Sequence, residues 1–137
     1  VSRLFLTAGG LLGGLAVAAG AFGAHGLKAF LEAHGQAANW ETAARYALFH
    51  ALATVAVGTL AAVRPGPGLT AAGWCFLVGT AIFSGCLFAL AVTGVKLLGA
   101  VVPIGGALLI VGWCLLASAG WRARPLSRRS LTGGSPA

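Results

Sequence analysis

Apolar residues fall in four long runs, at about 4–24, 43–63, 69–92 and 97–120, with every charged residue but Arg45 in the breaks between them or beyond their ends. Each run matches the roughly 20 residues that a helix needs to cross the hydrocarbon of a bilayer. None alternates polar and apolar positions as a strand of a closed barrel does, and a barrel is the only other fold that satisfies the backbone in lipid. The pattern therefore predicts an all-α integral membrane protein, a four-transmembrane-helix bundle formed by residues 1–124. Arg64 and the breaker Pro65-Gly66-Pro67-Gly68 end the second run. A cleaved signal peptide is a second reading of the first run, which has Arg3 and the small residues Ala16-Val17-Ala18. Its glycines favour a packing helix.

The longest break, residues 26–42, has Leu27, Phe30 and Leu31 at helical spacing, with Lys28 and Glu32 on the opposite face. This predicts a short amphipathic surface helix between the first two spans, ended by Gly35. Asn39 is placed to cap the second span, with Glu41 in its first turn. Trp40, Tyr46, Trp74 and Trp121 are expected near span ends, where amphipathic rings sit well. Pro103 reads as the first turn of the fourth span or as a kink. His34, beside Gly35, is expected in water.

Composition agrees with the pattern and removes other classes. Apolar residues make up 58% of the chain and charged residues 8%, against about 25% charged in a soluble domain. The formal charge of +7 does not read as a nucleic-acid surface, because the basic residues sit singly between apolar runs. They set orientation instead. Arg3, Arg64, Arg122, Arg124, Arg128 and Arg129 share one side, and Lys28, Arg45 and Lys96 the other. Both termini are then expected in the cytoplasm, and the Ser-, Gly- and Arg-rich tail 125–137 is expected to be disordered. Cys75, Cys86 and Cys114 lie inside apolar runs and read as small packing residues. The cysteines support neither a disulfide framework nor a zinc site, and no cofactor is expected.

Glycine is abundant, with 22 copies. Gly9 and Gly13 are four apart, as are Gly10 and Gly14, and Gly20 continues the spacing. Small residues on one face let helices approach closely in lipid. The first span is expected to pack inside the bundle or to form a dimer seam. Thr80 and Ser84 on the third span are expected to hydrogen-bond within the bundle, with Gly105 and Gly106 as further packing positions.

The second span carries Thr42, Tyr46, His50, Thr54 and Gly58 at intervals of four. Lipid penalises such a stripe, so it is expected to face the bundle. His25, Glu41, Arg45, Tyr46, His50 and Lys96 are candidates for a polar cluster at the outer mouth. Three readings stand side by side: a structural pairing that fixes helix register, a site for a lipid headgroup or small anion, and a metal or proton-relay site. A hydrolase built on Ser84 and His50 lacks a nucleophile turn, and the chain has no aspartate for an aspartyl protease.

Gly20-Ala21-Phe22-Gly23-Ala24-His25-Gly26-Leu27, Glu41-Thr42-Ala43 with Tyr46, and His50-Ala51-Leu52-Ala53 together resemble the small membrane proteins grouped as domain of unknown function 423. Transmembrane protein 256 of animals resembles the same group. A third block agrees: Phe83-Ser84-Gly85, Pro103-Ile104-Gly105-Gly106 and Gly112-Trp113. Cys86-Leu87-Phe88 departs from the pattern, removing two hydroxyls. The resemblance implies a four-span inner-membrane protein of a bacterium and no particular activity. The expected role is a non-enzymatic accessory, scaffold or assembly component, with membrane lipids and a second copy or another membrane protein as partners. The alternative is a lipid or small-solute binding or transport protein using the polar cluster.

Overall fold

The computed structural model describes residues 1–122, folded as five helices: α1 (Ser2–Ala24), α2 (Lys28–Ala33), α3 (Ala37–Val63), α4 (Pro67–Thr93) and α5 (Leu97–Trp121). All but α2 are long and apolar enough to cross a membrane. The tail expected at 125–137 lies outside the described residues.

Local chemistry sets the helix ends. Gly66 is extended and Pro67 opens α4 at a position where its missing N–H is not needed. Gly94, in the left-handed region at φ 71°, closes α4. Gly35 at φ 63° does the same after α2. The α2 helix turns its buried Leu31 inward and leaves Lys28 and Glu32 exposed.

Two boundaries differ from the sequence expectation. The α3 helix starts at Ala37, six residues before 43, so Asn39 and Glu41 lie inside it rather than at its start. Asn39 donates to the Gln36 side chain at 2.8 Å instead of capping the backbone. The polar segment 37–42 extends the helix past the apolar run, because hydropathy marks the membrane and not the helix end. Pro103 stands well inside α5 and not in its first turn.

The α1 helix packs mainly on α3, α3 on α4, and α4 on α5. Glycines set these approaches. A Cβ on Gly9 would lie 3.0 Å from the Ala51 carbonyl oxygen, and one on Gly58 would lie 2.9 Å from the Leu6 nitrogen. Gly79 and Gly105 bring α4 and α5 together, each facing the other's carbonyl at about 3 Å. Phe5, wholly buried, reaches from α1 over Gly73 of α4. Gly13 and Gly20 face alanines of α3 at ordinary contact distance, whereas Gly10 and Gly14 look outward into open space. The two glycine rows of α1 are thus not equivalent: one faces the bundle and the other faces lipid.

Candidate functional site: an intramembrane groove around His50

His50 lies at the midpoint of α3, 5% exposed. Its Nδ1 is 2.8 Å from the Tyr46 carbonyl oxygen, one helical turn back. A carbonyl only accepts, so Nδ1 carries the proton. That leaves Nε2 as an acceptor, and the Trp113 indole N–H donates to it at 3.2 Å. The imidazole is therefore neutral, with both nitrogens engaged, which is the form that a bilayer centre tolerates. Thr54, one turn further, donates to the His50 carbonyl at 2.7 Å.

Aromatic rings surround this contact. Phe76 packs against Trp113 at 5.1 Å between centroids and lies 5.8 Å from His50. Tyr46 stacks on Phe83 at 4.6 Å. Tyr46, Phe83 and Trp113, with Phe49, Leu109 and Ile110, line a groove of about 740 Å³ between α3 and α5. Its floor is mostly apolar, and Gly106 lines one wall without a side chain; a Cβ there would lie 3.7 Å from the Phe83 ring.

The six residues expected to meet at the outer mouth do not form one cluster. Tyr46 and His50 come together in the groove. Glu41 and Arg45 form an exposed pair one turn apart. Glu41 and His50 are nine positions apart, about 13.5 Å along the helix at 1.5 Å per residue. His25 is exposed just past the end of α1, its backbone N–H bonded to Ala21. Lys96 is exposed at the start of α5. The four-residue spacing along α3 does not keep charged and apolar environments apart in depth, and depth separates these groups. Tyr46, expected at a span end, lies well inside α3.

Thr80 and Ser84 also depart from expectation. Both are buried on α4, at 1% and 3% exposure, yet neither hydroxyl has a hydrogen-bond partner among the described residues. The pairings of His50 with Phe76 and Tyr46 with Phe83 set the register of the antiparallel α3 and α4. This register puts Thr80 and Ser84 level with buried alanines near Ala43 and Ala47, which offer no side-chain acceptor. His34, exposed after α2, bonds the Phe30 carbonyl at 2.8 Å through Nδ1.

Residue reading alone did not single out Trp113, the donor that completes His50. The available signal was a tryptophan far from either end of its span.

A family model described as "Protein of unknown function (DUF423)" matches residues 19–106, which is over half of the chain. The chain belongs to this DUF423 family. UPF0382 membrane protein SAB0533 of Staphylococcus aureus (strain bovine RF122 / ET3-1) is 40% identical over 114 residues, covering 83% of this chain and 92% of the relative. UPF0382 membrane protein YwdK of Bacillus subtilis (strain 168) is 39% identical over 116 residues, covering 83% and 93%. UPF0382 membrane protein SH2409 of Staphylococcus haemolyticus is 39% identical over 114 residues, covering 83% and 92%. No solved structure matches the chain. The DUF423 match takes in α3 and α4 whole, and so His50, Tyr46, Phe76 and Phe83. It ends before Trp113. The relatives are bacterial membrane proteins, and the four apolar helices make this chain a multi-pass membrane protein too.

Proposed function

We propose that the chain is a non-enzymatic accessory or assembly component of the bacterial inner membrane, which packs against a helix of a partner membrane protein along the α3–α5 groove. The carrying observation is the shape of that groove. Exposed apolar side chains are ordinary on a lipid-facing surface, so exposure says nothing. A concavity of about 740 Å³ at mid-helix depth, walled by Phe49, Phe83 and Trp113, is what a helix seats its side chains into. The state of His50 supports a structural rather than a chemical role: both ring nitrogens are engaged. Ser84, two turns along α4 from Phe76, is about 12 Å from the level of His50. The excess of arginine at the end bearing Ser2, Arg64 and Trp121 supports placing that end in the cytoplasm.

The test is native mass spectrometry of the chain, gently extracted from its own membrane. A stoichiometric protein companion that is lost in Ala56→Trp, which fills the groove, and kept in Gly14→Leu, on the far side of α1, is the expected result. Loss in Gly14→Leu alone would assign the contact to the outward glycine row and to a different seam, including a second copy. A chain released without any companion overturns the reading.

One observation favours a second reading, the binding of a lipid or small solute: Tyr46 and His50 line the same groove. That reading expects a fixed small mass on a lone chain, lost in His50→Ala.

A further inference from the structure

The chain's acidic chemistry converges on a second cavity, well removed from His50. The last turns of α1, the whole of α2 and the start of α3 enclose about 310 Å³. Its floor is small and apolar, formed by Gly20, Gly23 and Ala44 and closed by Leu31. Its rim carries Lys28, Glu32 and Glu41. Those two glutamates are the only acidic side chains in a sequence with nine basic ones. A chain that spends its whole acidic content on one cavity places a local feature there, because elsewhere its surface charge has one sign.

The wall is fixed. The Trp40 indole N–H donates to the Ala19 carbonyl at 2.8 Å, and the ring packs edge-on against Phe88 at 4.6 Å. Gly23 makes room for it, since a Cβ there would lie 2.3 Å from the indole. The rim, in contrast, is free to rearrange. Lys28 stands 4.0 Å from Glu32, and Glu41 pairs with Arg45, all four side chains being more than half exposed. Such exposed pairs contribute little to stability, so a ligand readily displaces them. The cavity lies where helices leave their apolar spans, which is headgroup depth in a bilayer.

We propose that this cavity binds the zwitterionic headgroup of a phospholipid carrying a primary ammonium. The ammonium sits between Glu32 and Glu41, and the phosphate lies against Lys28. The glycerol and first methylenes lie over Gly20, Gly23 and Ala44. A rim of one sign would select an anion or a cation; a rim with both selects a zwitterion. A primary ammonium brings three N–H donors to two carboxylates. A quaternary ammonium brings none and is held by a cage of aromatic faces, whereas here the single indole is already packed on Phe88. The volume is at the lower end of the range for ligand pockets, about 300–1,000 Å³, which fits a headgroup rather than a whole lipid.

The inference does not rest on the partner-docking reading. It is tested on a lipid adduct and not on a protein companion, so the two fail separately. The purified full chain is reconstituted in vesicles of phosphatidylethanolamine with phosphatidylglycerol, and of phosphatidylcholine with phosphatidylglycerol, then released for native mass spectrometry. The expected result is retention of phosphatidylethanolamine over either competitor by about tenfold, near 1.4 kcal/mol of preference. In Glu32→Gln/Glu41→Gln the ratio falls to about one. In Ala24→Trp, which fills the cavity and leaves every charge in place, the adduct is lost. Both variants alter exposed positions, and an unchanged unfolding transition confirms that the bundle survives. Displacement of the lipid by free ethanolamine shows that the ammonium alone suffices and extends the site to soluble amines. Equal retention of the three lipids, or an unchanged preference in the double glutamine variant, overturns the proposal.

Discussion

Gly105 and Gly106 are neighbours on α5, and the structure assigns them opposite tolerances to one added methyl group. A Cβ on Gly105 would lie 2.5 Å from the Phe83 nitrogen and 2.9 Å from both the Phe83 Cα and the Gly79 oxygen. All three are backbone atoms of α4 and cannot rotate away. Restoring ordinary contact, from about 3.4 Å outward, requires α4 and α5 to part by roughly 0.9 Å. Overpacking of this kind costs about 1–3 kcal/mol, and a clash with three backbone atoms belongs at the upper end. Alanine returns up to about 1 kcal/mol through helix propensity. The net expectation for Gly105→Ala is a loss of about 2 kcal/mol, roughly 30-fold in the folding equilibrium. For Gly106→Ala the nearest atom is the Phe83 ring at 3.7 Å, an ordinary contact. That variant is expected to be neutral or stabilised by up to about 1 kcal/mol. The assay is reversible unfolding of the full chain in mixed micelles, followed by helical circular dichroism. Equal stability of the two variants would refute the reasoning, because it would mean that the close crossing at Gly79 and Gly105 does not hold the pair together.

Three further outcomes follow from the contacts described. Trp113→Phe keeps an aromatic ring but leaves His50 Nε2 without its donor, and should lower stability by about 0.6 kcal/mol, the average for an interhelical hydrogen bond in a membrane, and by at most about 1.7; a double-mutant cycle with His50→Phe should recover most of it as coupling. Gly23→Ala drives the Trp40 indole off its seat, breaking the bond to the Ala19 carbonyl. It should destabilise the fold by about 1–3 kcal/mol and change the emission of that tryptophan, read in a background with the other three replaced by phenylalanine. Gly9→Ala should destabilise comparably, whereas Gly10→Ala, with open space around it, should change stability by less than about 0.5 kcal/mol; paired thermal melts of the two separate the rows of α1.

The four spans and the surface helix were legible in the sequence because lipid imposes a strong rule: a long apolar run must be helical, and a polar break with Gly35 must leave the membrane. Orientation of side chains around a helix was less legible. Gly9 and Gly10 carry the same GxxxG spacing, and nothing local says which row meets α3. That is decided by where Ala51 and Val55 come to lie. Depth was misjudged for a similar reason. The stripe Tyr46–His50–Thr54 is visible in the sequence, but His50 stands seven residues inside the apolar run 43–63, about 10 Å from its outer end and near its middle. The partner of His50 is 63 residues away on α5, a distance over which periodicity carries no information. The second cavity is not legible because Lys28 and Glu32 read as the solvated face of the surface helix, whereas Glu41 reads as part of the cluster around His50.

Among the helices that precede it in the chain, each long helix packs chiefly on the long helix just before it, α3 on α1, α4 on α3 and α5 on α4. A chain made from its N-terminus can therefore assemble in the order in which it is synthesised, every new span finding its neighbour already in place, without waiting for a distant segment to close the bundle. His50 is the exception. Its Nδ1 is satisfied as soon as α3 forms, but its Nε2 waits in the bilayer for Trp113, which arrives with the last helix. The indole thus acts as a completion contact, and a chain cut short before α5 would carry an unpaired imidazole nitrogen at mid-membrane, a cost that only the last helix removes.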